Sequence, residues 1–572
     1  MSRKVILFVF VPVLTLYCFI AVNALQKPIV GGEWWNHSAA ESILANGKPL
    51  PFGLFHDQKK ELLLQHPPLY LYLVALSYKV FGNGDIQARL IGVFIYLLML
   101  PLLYKATERM YPENKAAPVL ALLFFGLHPL AIQGSFVIDI DNTVLMLSTT
   151  LFFYLFVMSV DLPTTKRLAI VSLGFFAVLC TKLVPIPALL LSILCFYTLK
   201  RSILTGIKET VQTAFFGGGA YFIFNTGIYC LLGYKRLWLE QYKYIWVNFF
   251  TMAIRDSMIS FFSAFAGFVI RFSLWICPFL LLIFAYIAIK QARVFRSKKH
   301  VPRDAIAVIF ICITIFFSIF TGGLTYSFPK MQSSLLPLMC MVVAGNLSLF
   351  SKGGQNIKRV LIILIIAAGF IYFASGDVIY ISNYLTKESV VYGNINNLRE
   401  IVYPIAVYLM TPIVLFPFVY FLFRKKKFIY KLVLILVTST LASSISLDIA
   451  HVNADYATSF DYGDRDRKEV IDYVFSVLKP GYNVFSVSEM IYPLRLEDSN
   501  IPLEFTWDNP ENFLGYISER KPEIIIYGLV FNTVQQYRNT FQNPEVLNFL
   551  KAGYREKVIG NYDVWVVKEP VE

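Results

Sequence analysis

Three acidic residues stand where a chain rich in apolar runs has few reasons to keep acids. Glu33 sits beside Trp34 and Trp35 in a polar stretch, and Asp139 and Asp141 form an Asp-x-Asp pair in GSFVIDIDNTVL. A carboxylate at the edge of a membrane span is costly unless it is solvated or used, so each is a candidate catalytic residue. In an extended turn, residues i and i+2 project to one side. Asp139 and Asp141 therefore have the spacing to share a proton or to hold a hard divalent cation such as Mg, Mn or Ca. Alternatively, Asp141-Asn142-Thr143 caps the following helix, since these residue types favour helix starts. Cations answer the acids. Lys182 lies alone between two short apolar segments, and Arg89, Lys330 and the Lys235–Lys243 loop fall on the same expected side. Such cations suit a phosphate head group, or else they snorkel to the interface. His66, before Pro67-Pro68, is a further candidate binding residue.

The elements that must position these groups are mostly membrane helices. The chain has 572 residues, of which 57% are hydrophobic and 15% charged, and runs of eighteen or more apolar residues recur along it. The fold class expected is a polytopic all-α membrane domain over 1–446, followed by a C-terminal soluble α/β domain over 447–572. Val5–Leu25 reads as a retained anchor, too long for a signal-peptide core. The net charge of +14 does not call for nucleic acid. Most Lys and Arg form short clusters between apolar segments, as the positive-inside rule predicts; these include Lys166–Arg167, Lys200–Arg201, Arg293–Lys299, Lys358–Arg359 and Arg424–Lys427.

Placing those clusters inside yields about thirteen spans, among them Ala116–Ala131, Ala305–Phe320 and Val360–Ala374, with the loop 26–86, the acids and the C-terminal region outside. The protein is thus expected in a cell (inner or plasma) membrane, with its site extracytoplasmic. Within the first loop, Ser38–Asn46 and Leu69–Val80 carry helical spacing, so this long loop forms one wall of a site. Asn36-His37-Ser38 matches a glycosylation sequon by chance, being inside that wall. The Gly217–Gly219 run lacks the strand and the Lys-Ser/Thr of a phosphate loop and marks close helix packing. The seven cysteines lie in or beside apolar segments and read as small buried hydrophobes. In the tail, helical patterns at Arg467–Lys479, Pro510–Arg520 and Asn543–Ala552 alternate with β-like runs at Asn483–Val487, Ile501–Phe505 and Glu523–Tyr527. A hairpin over Glu556–Ile559 and Asp563–Val567, turning at Gly560-Asn561, closes it.

Four motifs resemble the GT-C superfamily of membrane glycosyltransferases, in the branch of the protein O-mannosyltransferases and aminoarabinose–lipid A transferases. EWWNHSAAESILANGKPLP is similar to that family's first-loop helix, and HPPLYLYLVALSYKVFGNGDIQARLIGVFIYLL to the block after it. FVIDIDNTVLMLSTTLFFYLF resembles the second acidic motif, CTKLVP resembles the Thr-Lys turn, and Pro329 to Pro337 is a weaker match. The resemblance implies a GT-C-like fold and a polyprenyl-phosphate sugar donor. It implies inverting transfer to a hydroxyl of a lipid, glycan or protein acceptor at the outer membrane face, with a carboxylate base. Glu33 is the first choice for that base, followed by Asp141 and Asp139, and Lys182, Arg89, His66 and Lys330 are expected at the phosphate. Two departures stand out: Gly32-Glu33 replaces the family's Asp-Glu, and His66 replaces the lysine of the lipid A enzymes. The alternative reading is a transporter or flippase of lipid-linked sugars, which would gather polar residues at mid-membrane and show internal repeats.

Overall fold

The computed structural model describes residues 3–27, 33–49, 67–233, 269, 272–273, 275–296, 301–320, 333–347, 398–424 and 426–452. Toward the C-terminus it describes residues 467–486, 490, 494, 501, 503–504, 513–528, 543–560 and 562–568. His66, Lys330, the Lys235–Lys243 loop and the expected span Val360–Ala374 lie outside the described residues.

Fifteen described helices precede residue 453: α1 (Arg3–Ala24), α2 (Glu33–Asn46), α3 (Leu69–Phe81), α4 (Asp85–Met110), α5 (Ala117–Gly126), α6 (Pro129–Ile132), α7 (Met146–Ser159), α8 (Thr164–Leu179), α9 (Ile186–Lys200), α10 (Ile203–Leu231), α11 (Pro278–Arg296), α12 (Ala305–Phe320), α13 (Leu336–Asn346), α14 (Leu398–Leu422) and α15 (Phe428–Val452). Among the described residues, Asp85–Met110, Asp141–Ser159, Ile203–Leu231 and Tyr430–Ile449 are long and apolar enough to cross a membrane, and six shorter apolar helices accompany them. The chain is an integral membrane protein. One expected straight span, Ala116–Ala131, is instead broken: α5 and the segment Pro129–Phe136 meet at 68°. The reason is local. Pro129 disfavours the helical region for the residue before it, and His128 is extended at φ −89°, ψ 128°. The His128 ring accepts the Leu130 N–H at 3.1 Å and restarts the helix.

After this break the chain makes a 3₁₀ turn, Gln133–Phe136, and an unwound stretch, Val137–Ile140. It then enters α7 through a π-helical turn, Asp141–Leu145, in which the Leu145 N–H reaches the Ile140 carbonyl. Residues 133–141 are all buried. Unwound backbone inside such a core is tolerated only where other groups satisfy its N–H and C=O. Close packing makes this possible. Gly92 of α4 presses on the turn, where a Cβ would overlap the Ser135 carbonyl oxygen, and Tyr17 of α1 hydrogen-bonds Ser135 Oγ at 2.9 Å. Tyr17 also stacks on Tyr96 at 4.0 Å, and Tyr96 donates to the Gly126 carbonyl at the end of α5 at 2.7 Å. In the Gly217–Gly219 run only Gly217 is a packing glycine, with the Ser172 carbonyl and Phe175 of α8 against it; beside Gly218 and Gly219 there is open space.

Residues 467–568 hold a second hydrophobic core separate from the helical one. Helices α16 (Arg467–Val477), α17 (Phe513–Arg520) and α18 (Pro544–Gly553) accompany strands β1 (Val484–Ser486), β2 (Leu503–Glu504), β3 (Ile524–Gly528), β4 (Tyr554–Ile559) and β5 (Tyr562–Val567). The sheet order is β2-β1-β3-β5-β4, with β1 parallel to β2 and β3, and β5 antiparallel to β3 and β4. The central strand β3 reads Ile524-Ile525-Ile526, all fully buried, as a strand covered on both faces requires.

Candidate active site

The unwound stretch Val137–Ile140 and Asp141, which follows it, are the centre of the site, and side chains from other regions hold them. Helix α2 begins at Glu33, so Glu33, Asn36 and His37 share one face. Glu33 Oε1 accepts the Ile138 N–H at 2.8 Å, and Asn36 Nδ2 donates to the Ile138 carbonyl at 2.7 Å. From α4, Arg89 Nε donates to the Phe136 carbonyl at 2.8 Å, and its Nη2 meets Glu33 Oε2 at 3.2 Å. Arg89 Nη1 faces the backbone carbonyls of Lys27 and Leu25 after α1. Thr143 Oγ1 donates to the Asp139 carbonyl at 2.6 Å, and Ser333 Oγ donates to the Asp141 carbonyl at 2.8 Å.

Arg89 reaches this position because Gly92, three residues on and on the same face, lets α4 touch the 3₁₀ turn. Its guanidinium is 1% exposed and already directed at Glu33 and three carbonyls. Through these bonds the planar guanidinium frames the loop, tying α4 to the 3₁₀ turn, to Glu33 and to the chain after α1. Glu33 is likewise 1% exposed and held through both oxygens.

The contact continues away from the acids. Four residues along α2 from Glu33, His37 lies 3.8 Å from Asp85, four residues before Arg89 on α4. Four further along α2, Glu41 accepts from Asn83 Nδ2 at 2.5 Å. Helix α2 is thus laid antiparallel on the start of α4. Burial pushes the His37 imidazole down to about 4 from its ordinary 6.5.

The cationic half comes from the α8–α9 turn. Lys182 Nζ donates to both Asp141 oxygens, at 2.6 and 2.7 Å, and the neighbouring Thr181 Oγ1 hydrogen-bonds Ser148 of α7 at 3.1 Å. The turn is therefore fastened to the helix that Asp141 opens. An ammonium has three donors, and two of the Lys182 donors go to Asp141. Asp139 Oδ1 accepts the Asp141 N–H at 2.8 Å, so Asp139, rather than Asp141, satisfies the helix start. Of the three acids Asp139 is the most open, at 7% exposed against 3% for Asp141. Tyr70 of α3, fully buried, faces Thr143, Asp139 and Glu33.

The two aspartates do not fit a divalent ion as they stand. Lys182 occupies the space in front of Asp141 that a cation would take. Among the described residues, no three His, Cys, Asp or Glu side chains gather to hold a metal. A separate apolar cavity of ≈ 340 Å³ lies alongside, lined by Pro67, Leu69 and Tyr72 around the start of α3, by Cys180, two residues before Lys182, and by Tyr221 and Ile228 of α10.

Glu33, Arg89, Asp139, Asp141 and Lys182 are brought together in this way. Asn36, Gly92 and Ser333 were not singled out from the sequence as site residues, although Asn36 and Gly92 stand three residues from Glu33 and Arg89 on the same helix faces, a spacing that could have found them.

Residues 65–216 match the protein family described as Dolichyl-phosphate-mannose-protein mannosyltransferase. No curated protein sequence matches the chain. In fold, the chain is similar to ArnT from Cupriavidus metallidurans bound to undecaprenyl phosphate, at 15% identity and TM-score 0.55, over 99% of this chain and 98% of that one. The apo state of the same protein gives 16% identity and TM-score 0.53 over 98% and 97%. The archaeal oligosaccharyltransferase AglB from Archaeoglobus fulgidus, in complex with an inhibitory peptide and a dolichol-phosphate, gives 9% identity and TM-score 0.50 over 100% and 75%. At these identities the likeness is one of fold.

Proposed function

We propose that this chain is a GT-C membrane glycosyltransferase that moves a sugar from a polyprenyl-phosphate donor to an acceptor hydroxyl at the extracytoplasmic face; the match of residues 65–216 and the likeness of fold to ArnT support this. The observation that carries the reading is the ion pair of Lys182 with Asp141, whose backbone N–H is held by Asp139, on buried backbone next to an apolar cavity. ArnT was solved with undecaprenyl phosphate and AglB with a dolichol-phosphate, and a ligand of that chemistry needs a cation and an apolar seat side by side. The cavity seats the start of the prenyl chain, and the third donor of Lys182 takes a phosphate oxygen.

In the transfer step a carboxylate removes the proton from the acceptor hydroxyl. That oxygen bonds to the anomeric carbon as the bond from carbon to the phosphate oxygen breaks on the opposite side, inverting the centre. The prenyl phosphate departs with the electron pair and one further negative charge, which the Lys182 ammonium stabilises. We assign the base to Asp139 in place of Glu33. Glu33 is 1% exposed and clamped between an arginine and a backbone N–H, whereas Asp139, at 7%, is the most open of the three acids to an incoming hydroxyl.

The test is transfer of radiolabelled sugar from a panel of polyprenyl-phosphate donors by the purified chain in detergent. Asp139→Asn should lower turnover about 10²–10⁴-fold, the usual worth of a general base, and Lys182→Met should lower it with normal expression. Near-normal turnover in both variants, or movement of labelled lipid across vesicles without any covalent product, would sink the reading.

A further inference from the structure

We infer that Asp448 is a positioning residue for the 133–141 segment, acting through Gln133; the inference rests on the sugar-transfer reading above. Asp448 lies on α15, within the span Tyr430–Ile449, and is fully buried. No described cation forms an ion pair with it. Its Oδ1 accepts from Gln133 Nε2 at 3.4 Å, and its Oδ2 has no hydrogen-bond partner. An acid in a membrane span is expensive. Replacing a buried polar pair by apolar side chains of similar shape is often neutral or stabilising, so folding alone gives no reason to keep this one.

What Asp448 touches supplies the reason. Gln133 is the first residue of the 3₁₀ turn, and Phe136, its last, gives its carbonyl to Arg89. Between them Ser135 is held by Tyr17 and pressed by Gly92. The turn is thus gripped at its far end by α4, in its middle by α1, and at its near end by α15. Only residues 137 and 138 separate it from Asp139, and residue 140 separates Asp139 from Asp141. If the grip at Gln133 is released, the near end of the turn can shift against the contacts that remain at Ser135, Phe136 and Ile138, enough to move the aspartates by about 1 Å relative to Lys182. Because α15 is the last described helix before residue 467, the same contact joins the end of the membrane region to the reacting loop.

The experiment uses the full chain in detergent with four variants: Asp448→Asn, Asp448→Leu, Gln133→Leu and the Asp448→Leu/Gln133→Leu pair. Turnover and KM for the donor are measured, together with amide hydrogen exchange over 133–141. Asp448→Asn keeps an oxygen acceptor for Gln133 and should stay within about twofold of wild type in all three. The leucine variants, the folded double included, should lose about 10²-fold in kcat with KM changed little, as misplacement by about 1 Å does, and their 137–141 amides should exchange about tenfold faster, a local opening. A folded double variant with wild-type kcat and exchange overturns the inference. So does an Asp448→Asn variant as slow as Asp448→Leu, which would mean that the acid itself matters. If the double variant does not fold, exchange in Asp448→Asn against Asp448→Leu decides. If the wild type transfers no sugar from any donor, the functional reading fails, while exchange still answers whether Asp448 holds the loop.

Discussion

Replacing Arg89 by Met tests whether the first-loop helix is framed as described. The substitution keeps an unbranched apolar stem and removes the guanidinium. Glu33, at 1% exposed, then retains the Ile138 N–H but loses its charge partner. Breaking a buried pair from one side costs about 3–5 kcal/mol. The Phe136 carbonyl loses its donor as well, and a buried acceptor left alone adds about 1–3 kcal/mol. Replacing both partners, as in Glu33→Met/Arg89→Met, removes the stranded charge, so the double should lose less than the sum of the two singles by at least about 1 kcal/mol, the scale of coupling between contacting residues. The assay is the apparent unfolding midpoint of the purified chain in one detergent, read as a double-mutant cycle, with transfer measured alongside. Turnover should fall in all three, because the double also releases Ile138. Additive midpoint losses would refute the pairing. Full activity in Arg89→Met would refute the claim that this frame holds the site.

Two further outcomes follow from the same contacts. His37 is held neutral by burial, with its imidazole at about 4 against 6.5 in the unfolded chain. Its share of stability is therefore present above 6.5 and lost as pH falls from 6.5 through about 4, where only the unfolded state takes up the proton; His37→Phe should flatten the acid side of a midpoint-against-pH plot, and an unchanged slope would count against it. Gly92→Ala should cost about 1–3 kcal/mol by overpacking and depress transfer, because its Cβ has only the Ser135 carbonyl to displace; a silent Gly92→Ala would mean that α4 does not set the loop.

Much of the arrangement was legible in the residues themselves. Leu69–Phe81 and Ala305–Phe320 are helices where apolar spacing predicts them, and strands β3, β4 and β5 fall within a residue or two of the runs that predict them. Hydrophobic period is a local property, which one chain displays without reference to its neighbours. That Glu33, Asp139, Asp141 and Lys182 are unusual was also local, since each is an ion among apolar runs.

Which ion meets which is another matter. Nothing in GSFVIDIDNTVL tells that its backbone unwinds, because the break begins upstream at His128-Pro129 and is sustained by Arg89, Asn36 and Ser333, between 47 and 192 residues away for the bonds that each makes. The sequence determined that acids and cations would be few and placed at helix ends. Only the tertiary structure decided that Glu33 and Arg89 satisfy each other while Asp141 holds Lys182, because the cost of a buried charge is settled by what lies within hydrogen-bond reach in three dimensions.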